Sequence, residues 1–186
     1  MVGIDDGRPD DPAIRPVRDE AELQAVFAFL APLFAAEVGA DDDFRLDRLL
    51  ERLDDDQDLM LVAVAADGGY RGAALGYRDG VSGVKLQALA VAAEVRRRGI
   101  ATRLLAELER VAVGTGRSSI FLGIEPSARP FYEAQGYSGR GTVLRKSLAG
   151  QAMAESPASR QERLAVLRAA RSQRQAGPDF GAELRP

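Results

Sequence analysis

The chain has 186 residues, 46% apolar and 28% charged, the balance of a folded soluble domain with room for an appendage. It contains neither cysteine nor histidine, which excludes disulfides, thiolate or imidazole metal sites, cysteine nucleophiles, Ser–His catalysis and imidazole proton shuttles, and leaves carboxylates, Tyr, Lys, hydroxyls, backbone amides or a bound cofactor for any chemistry. The net charge of −3 hides a split: residues 1–60 hold 17 acids against 6 arginines, net −11, and residues 61–186 hold 11 acids against 19 bases, net +8.

Residues 1–12, rich in Asp, Gly and Pro, read as a flexible lead-in; their acidity and lack of an apolar stretch are the opposite of a secretory signal. A strand is expected over Ala13–Val17. The next segment predicts a helix with Asp19 as N-cap, Glu20 and Glu22 in the first turn, and Leu23, Val26, Phe27 and Leu30 along one face until Pro32 breaks it. A second helix repeats the pattern through Leu46, Leu49, Leu50 and Leu53, capped by Asp42 or Asp43 and ended by the Asp54–Asp56 cluster. The longest apolar run, Ala25–Ala36, has 12 residues with Pro32 inside it, short of the roughly 18–20 that span a bilayer. No membrane partner is expected, and the cytoplasm is the expected compartment.

Leu59–Ala66 and Tyr70–Tyr77, joined by Asp67-Gly68-Gly69, predict a hairpin, and Val84–Val91 predicts the next strand after a turn bracketed by Gly80 and Gly83. A helix follows from about Gly99 to Val113, with Ile100, Leu104, Leu108 and Val111 on one face and Gly114 or Gly116 as its stop. Ser118–Ile124 is a strand and Ala128–Gln135 a short helix, with Ser127 as cap, Pro130 in the first turn and Gly136 at the left-handed exit. Thr142–Leu148 is the last strand. The order β-α-α-β-β-β-α-β-α-β indicates an α/β (α+β) fold over residues 13–148, a mixed central sheet flanked by helices. Residues 149–186, dominated by Ala, Gln and Arg, read as an appendage, helical between Ser156-Pro157 and Gly177-Pro178 or partly disordered.

The string Leu89-Ala90-Val91-Ala92-Ala93-Glu94-Val95-Arg96-Arg97-Arg98-Gly99-Ile100-Ala101-Thr102 runs from a buried strand through a basic turn into a helix N-terminus. Unpaired N–H groups, the positive end of the helix dipole, a glycine that lets a ligand approach, and three guanidiniums together suit a phosphate or pyrophosphate. The turn lacks the GK[ST] of a P-loop and the spacing of a dinucleotide site. A solvated basic loop ahead of a helix is the alternative.

Tyr132 lies in the short helix Ala128–Gln135. Its phenol, of ordinary pKa about 10, can protonate a leaving group such as a thiolate, and with His and Cys absent few other side chains can. The competing role is packing. With Gly136 at the helix exit, Tyr132 and Tyr137 fall at the two positions that commonly touch across a Schellman end.

Together the two segments resemble the GCN5-related N-acetyltransferase (GNAT) superfamily. The Gln/Arg-x-x-Gly-x-Gly/Ala motif after the fourth strand is matched by Arg96, Gly99 and Ala101. The Ala-x-x-Phe/Leu-Tyr-x-x-x-Gly-Phe/Tyr motif after the fifth is matched by Ala128, Phe131, Tyr132, Gly136 and Tyr137. The resemblance covers about Ile14 to Leu148. It implies acetyl-CoA or another acyl-CoA as donor co-substrate and no metal. The pyrophosphate is expected on the backbone of Arg96 to Ala101, the pantetheine alongside Leu89 to Val91, and Tyr132 as the acid that protonates the CoA thiolate. A backbone amide near Val91 would polarise the thioester carbonyl for direct attack by an amine, on a small molecule or on a peptide or protein.

Three departures stand out. Glu125 occupies a position where many family members carry Asn, the stretch Ser138–Gly141 is too short for an extra strand and long hairpin, and Lys85-Leu86-Gln87-Ala88 lacks the Glu that often acts as base. Glu37, Asp41–Asp43 or water held by Gln87 remain as bases, against their simpler role of capping or solvating helices. The acidic N-terminal part would suit a cationic amine. A non-catalytic CoA-binding or protein-interaction module of the same fold is the alternative function. Nucleic-acid binding by Arg160, Arg163, Arg168, Arg171 and Arg174 is disfavoured by the acids among them and the lack of interleaved aromatics. An exposed strand edge or the tail helix offers a route to a homodimer.

Overall fold

Strands whose residues alternate between two apolar faces need a cover on both, and here helices supply it. The computed structural model describes residues 11–35 and 46–148. One six-stranded sheet runs in the order β1 (Ala13–Pro16), β2 (Met60–Val64), β3 (Tyr70–Asp79), β4 (Gly83–Val91), β5 (Ser119–Gly123), β6 (Val143–Ser147). All neighbours are antiparallel except β4 and β5, and the parallel pair is the one joined through a helix, α4 (Ile100–Gly114). Helices α1 (Glu20–Ala35), α2 (Leu46–Leu50) and α3 (Leu53–Asp56) come between β1 and β2, and α5 (Arg129–Ala134) between β5 and β6.

Each face has its own core. Leu23, Val26 and Leu30 of α1 cluster with Met60, Val62, Ala73 and Leu75, while Leu104, Leu105 and Leu108 of α4 cluster with Leu61, Ala63, Val84 and Ile120. Each fully buried leucine contributes about 1.5–3 kcal/mol relative to exposure. Asp19 caps α1 as predicted, its Oδ1 accepting the Glu22 N–H at 2.8 Å. Glu22 in turn accepts both guanidinium nitrogens of Arg15 at 2.8 and 2.6 Å and the Arg18 N–H at 2.8 Å, which ties the start of α1 to β1.

Several predicted helix ends fall elsewhere. Pro32 does not break α1, which continues to Ala35; Pro32 and Ala28, whose carbonyl loses its partner, are both exposed, so water can replace the missing bond. The second predicted helix is split into α2 and α3, and Asp54–Asp56 lie inside α3 instead of ending a helix. Asp56 is buried beneath Arg78, its Oδ1 3.2 Å from the Arg78 Nε, and burial pushes its carboxyl above the usual range. Ser127 is not a cap: it sits in a 3-10 turn, Pro126–Ala128, and Ala128 is the uncapped start of α5. Of the two glycines predicted to stop α4, Gly114 is its last residue and Gly116 takes the left-handed conformation. The proposed caps Asp42 and Asp43, the carboxylates Glu37 and Asp41, and the appendage lie outside the described residues.

The β3–β4 register slips by one residue. Leu75 pairs with Ala88 and Gly76 with Leu86, leaving Gln87 as the extra residue of a bulge. Before it, Val84 and Leu86 face the α4 core; after it, Val91 and Leu89 do, and Ala88 and Ala90 turn to the α1 core.

Candidate active site

The parallel pairing of β4 with β5 is short. It covers Gly83–Ser119, Val84–Ile120 and Lys85–Phe121 and then stops, although β4 continues to Val91. The two strands therefore part, and from Leu86 onward β4 is not paired with β5. The Ala92 N–H donates to the Arg71 carbonyl at 2.9 Å, across to the β3 side. By alternation Ala90, opposite Ala73, also turns its main chain to β3, and Leu89 and Val91 turn theirs to the open side. The Val91 carbonyl is reached there by the Arg96 Nε at 3.1 Å.

The open edge leads directly into the basic turn. After a single 3-10 turn, Ala93–Val95, the chain passes Arg97 at φ 63° and Gly99 at φ 79°. Left-handed geometry is easy for Gly99 and strained for Arg97. Gly99 is the N-cap of α4 and no side chain caps the helix, so its first N–H groups face outward without an intrahelical partner. Arg96, Arg97, Arg98, Gly99 and Thr102 are exposed, Ala101 is half-buried, and Ile100 is sunk into the α4 core. A groove of about 510 Å³ lies beside the turn, lined by Ala65, Ala66, Asp67, Arg71, Glu94, Val95 and Arg98. The arrangement offers an extended ligand a strand edge at one end and an anion site at the other.

Beyond the end of β5, the chain enters α5 and Tyr132. The Schellman end is formed: Tyr137 N–H donates to the Tyr132 carbonyl at 3.0 Å and Gly136 N–H to the Glu133 carbonyl at 2.9 Å, with Gly136 at φ 85°. The Tyr132 ring lies 5.8 Å from that of Tyr137 and 5.0 Å from that of Phe131, both edge-on. Tyr132 is 8% exposed and its hydroxyl has no hydrogen-bond partner among the described residues. Burial pushes the phenol up to about 12, so it is protonated at neutral pH and free to donate. Packing at the helix end and a protonated hydroxyl thus coexist in one side chain.

Sequence reasoning missed Glu109 and Lys146. Glu109 is buried in α4, where its carboxylate accepts the Tyr137 hydroxyl at 3.1 Å and the Lys146 ammonium at 2.7 Å. Burial, followed by the neighbouring Glu109 charge, pushes the Tyr137 phenol far above its ordinary range. The available signal was a Glu four residues after Leu105 and three before Ala112, on the apolar face of α4. Gln87 lies at the bulge, half-buried, with the Tyr77 hydroxyl 3.4 Å from its Oε1.

The profile of the acetyltransferase (GNAT) family matches residues 23–137. The chain belongs to this family. The fold agrees with solved structures at low identity: Ard1 from Thermoplasma volcanium (13% identity, TM-score 0.62, 74% of this chain and 97% of that one), and an aminoglycoside 6′-N-acetyltransferase complexed with coenzyme A (17%, 0.58, 73% and 97%). A PaiA N-acetyltransferase from Thermoplasma acidophilum in complex with coenzyme A is similar in the same way (18%, 0.58, 73% and 98%). No curated protein matches the chain. Among the described residues no group of three or more His, Cys, Asp or Glu could hold a metal ion, and no helix is long and apolar enough to cross a membrane.

Proposed function

We propose that the chain is an acetyl-CoA-dependent N-acetyltransferase acting through residues 13–148 by direct transfer to an amine, on a small molecule or on a peptide or protein. The observation that carries the reading is the continuity of the β4 edge at Leu89 and Val91, which β5 does not pair, with the uncapped, arginine-bearing start of α4. This continuity matches the donor in kind, an amide-bearing arm joined to a pyrophosphate. Bound acetyl-CoA supplies an acetyl thioester open to attack by an amine. The main-chain groups of Leu89 and Val91 hold the arm as an added strand would, and the N–H groups from Arg96 through Thr102 together with Arg96, Arg97 and Arg98 hold the phosphates. The Val91 N–H stabilises charge that develops on the carbonyl oxygen.

Tyr132 holds the proton that the departing sulfur needs. Its high pKa does not disqualify it, because the burial that keeps the phenol protonated also disfavours a free thiolate beside it. The N-acetyltransferase names of the similar structures support nitrogen as the acceptor atom. Tyr132→Phe tests the assignment. It keeps the ring contacts, so turnover is expected to fall about 10²–10⁴-fold with coenzyme A affinity unchanged. Unchanged turnover would leave Tyr132 with packing alone, and no turnover in the native protein despite coenzyme A binding would favour the non-catalytic module.

A further inference from the structure

Building on the reading of Tyr132 as proton donor, we propose that Glu109 is a positioning residue for that phenol and acts through Tyr137. Glu109 is 7% exposed on the face of α4 that packs against the sheet. An apolar side chain would fill that place with no desolvation penalty, whereas a carboxylate is stable there only when paired. Both oxygens are paired, Oε1 with the Tyr137 hydroxyl and Oε2 with the Lys146 ammonium, so two bonds join α4, the exit of α5 and β6.

That exit controls Tyr132. Helix α5 has six residues, too few to persist on its own, and no side chain caps its start. Its C-terminal end is anchored by Tyr137, which bonds the Tyr132 carbonyl through its N–H and rests its ring edge-on against the Tyr132 ring. The direction of the Tyr132 hydroxyl is therefore set by its ring and backbone, and these rest on a Tyr137 fixed by Glu109. Glu109 itself touches no reacting atom.

The test is a double-mutant cycle in the full chain, following thiol release from acetyl-CoA with hydroxylamine as a small nucleophile that needs no acceptor pocket. Tyr137→Phe keeps the ring and removes only the bond to Glu109. It is expected to lower kcat about tenfold, hold the KM for acetyl-CoA within about twofold, and add nothing when combined with Tyr132→Phe. The pair Glu109→Met with Lys146→Met removes both charges and the acceptor for the Tyr137 hydroxyl at similar volume and is expected to behave the same way, so the cycle can be completed should Tyr137→Phe unfold. Native rates in both variants, or equal proportional losses with and without Tyr132→Phe, would overturn the positioning role while leaving the donor role intact. A native rate in Tyr132→Phe, or no release above background in the native chain, would instead overturn the underlying reading and the proposal with it.

Discussion

The Arg96 side chain folds back onto the strand that precedes it, donating from Nε to the Val91 carbonyl at 3.1 Å. The first arginine of the basic turn thus occupies a main-chain acceptor on the open edge of β4. Arg96 is exposed and carries a full positive charge in the turn. Arg96→Ala is expected to weaken coenzyme A binding about tenfold, the loss of a charge-assisted contact, with little change in fold stability. Isothermal titration at two salt concentrations checks this, since the difference between native and variant should shrink as salt rises.

Gly99 has a separate requirement. Its φ of 79° is left-handed, although a Cβ there would meet nothing within 4 Å. Gly99→Ala should therefore cost about 1–2 kcal/mol of stability from the backbone alone. If the turn is a phosphate cradle, the added methyl also weakens coenzyme A binding; denaturant melts and titration separate the two effects.

Gly139 follows Tyr137 by two residues, and a Cβ there would overlap the Val143 carbonyl oxygen and lie 3.1 Å from the Leu144 Cα. Both neighbours are backbone and cannot swing aside. Gly139→Ala is expected to cost about 1–3 kcal/mol and to lower the thermal midpoint measurably.

Much of this architecture was legible in the sequence, because a long periodic segment such as the one carrying Ile100, Leu104 and Leu108 has one apolar stripe and one way to bury it. The bulge at Gln87 was not. Leu86, Ala88, Leu89, Ala90 and Val91 are all apolar, so either register satisfies a period of two, and only the pairing with β3 decides which side chains face α4. Pro32 within α1 was hidden for a related reason, since tolerance depends on exposure and not on the residue itself. The arginine turn and Tyr132 were readable as motif positions, whereas Glu109 depends on Tyr137 and Lys146, 28 and 37 residues away.

Acid stability should report on Glu22. Hydrogen bonds from Arg15 first, opposed by desolvation and reinforced by Arg18, hold its carboxyl at about 2 against an ordinary 4.5. A depressed folded-state pKa contributes stability that is present above pH 4.5 and lost as pH falls toward 2. Glu22→Gln is expected to be less stable at neutral pH and to lose less stability through that window; parallel urea melts at pH 6, 4 and 2.5 check it.

The charge split bears on the acceptor. With net −11 in residues 1–60, a cationic amine should be drawn in by long-range attraction, so its kcat/KM falls as ionic strength rises while that of a neutral amine stays nearly flat. Equal salt responses for the two amines would remove charge steering from the description.

The donor site is tested most directly by the thermal midpoint of the full chain with acetyl-CoA, coenzyme A or ATP. A ligand at 100 times its Kd stabilises the fold by about 2.7 kcal/mol, a shift of several degrees for a domain of this size. A clear rise with acetyl-CoA and coenzyme A but none with ATP is the predicted result. No shift at millimolar acetyl-CoA would contradict it, leaving the turn from Arg96 to Thr102 as a basic surface loop on an acetyltransferase fold.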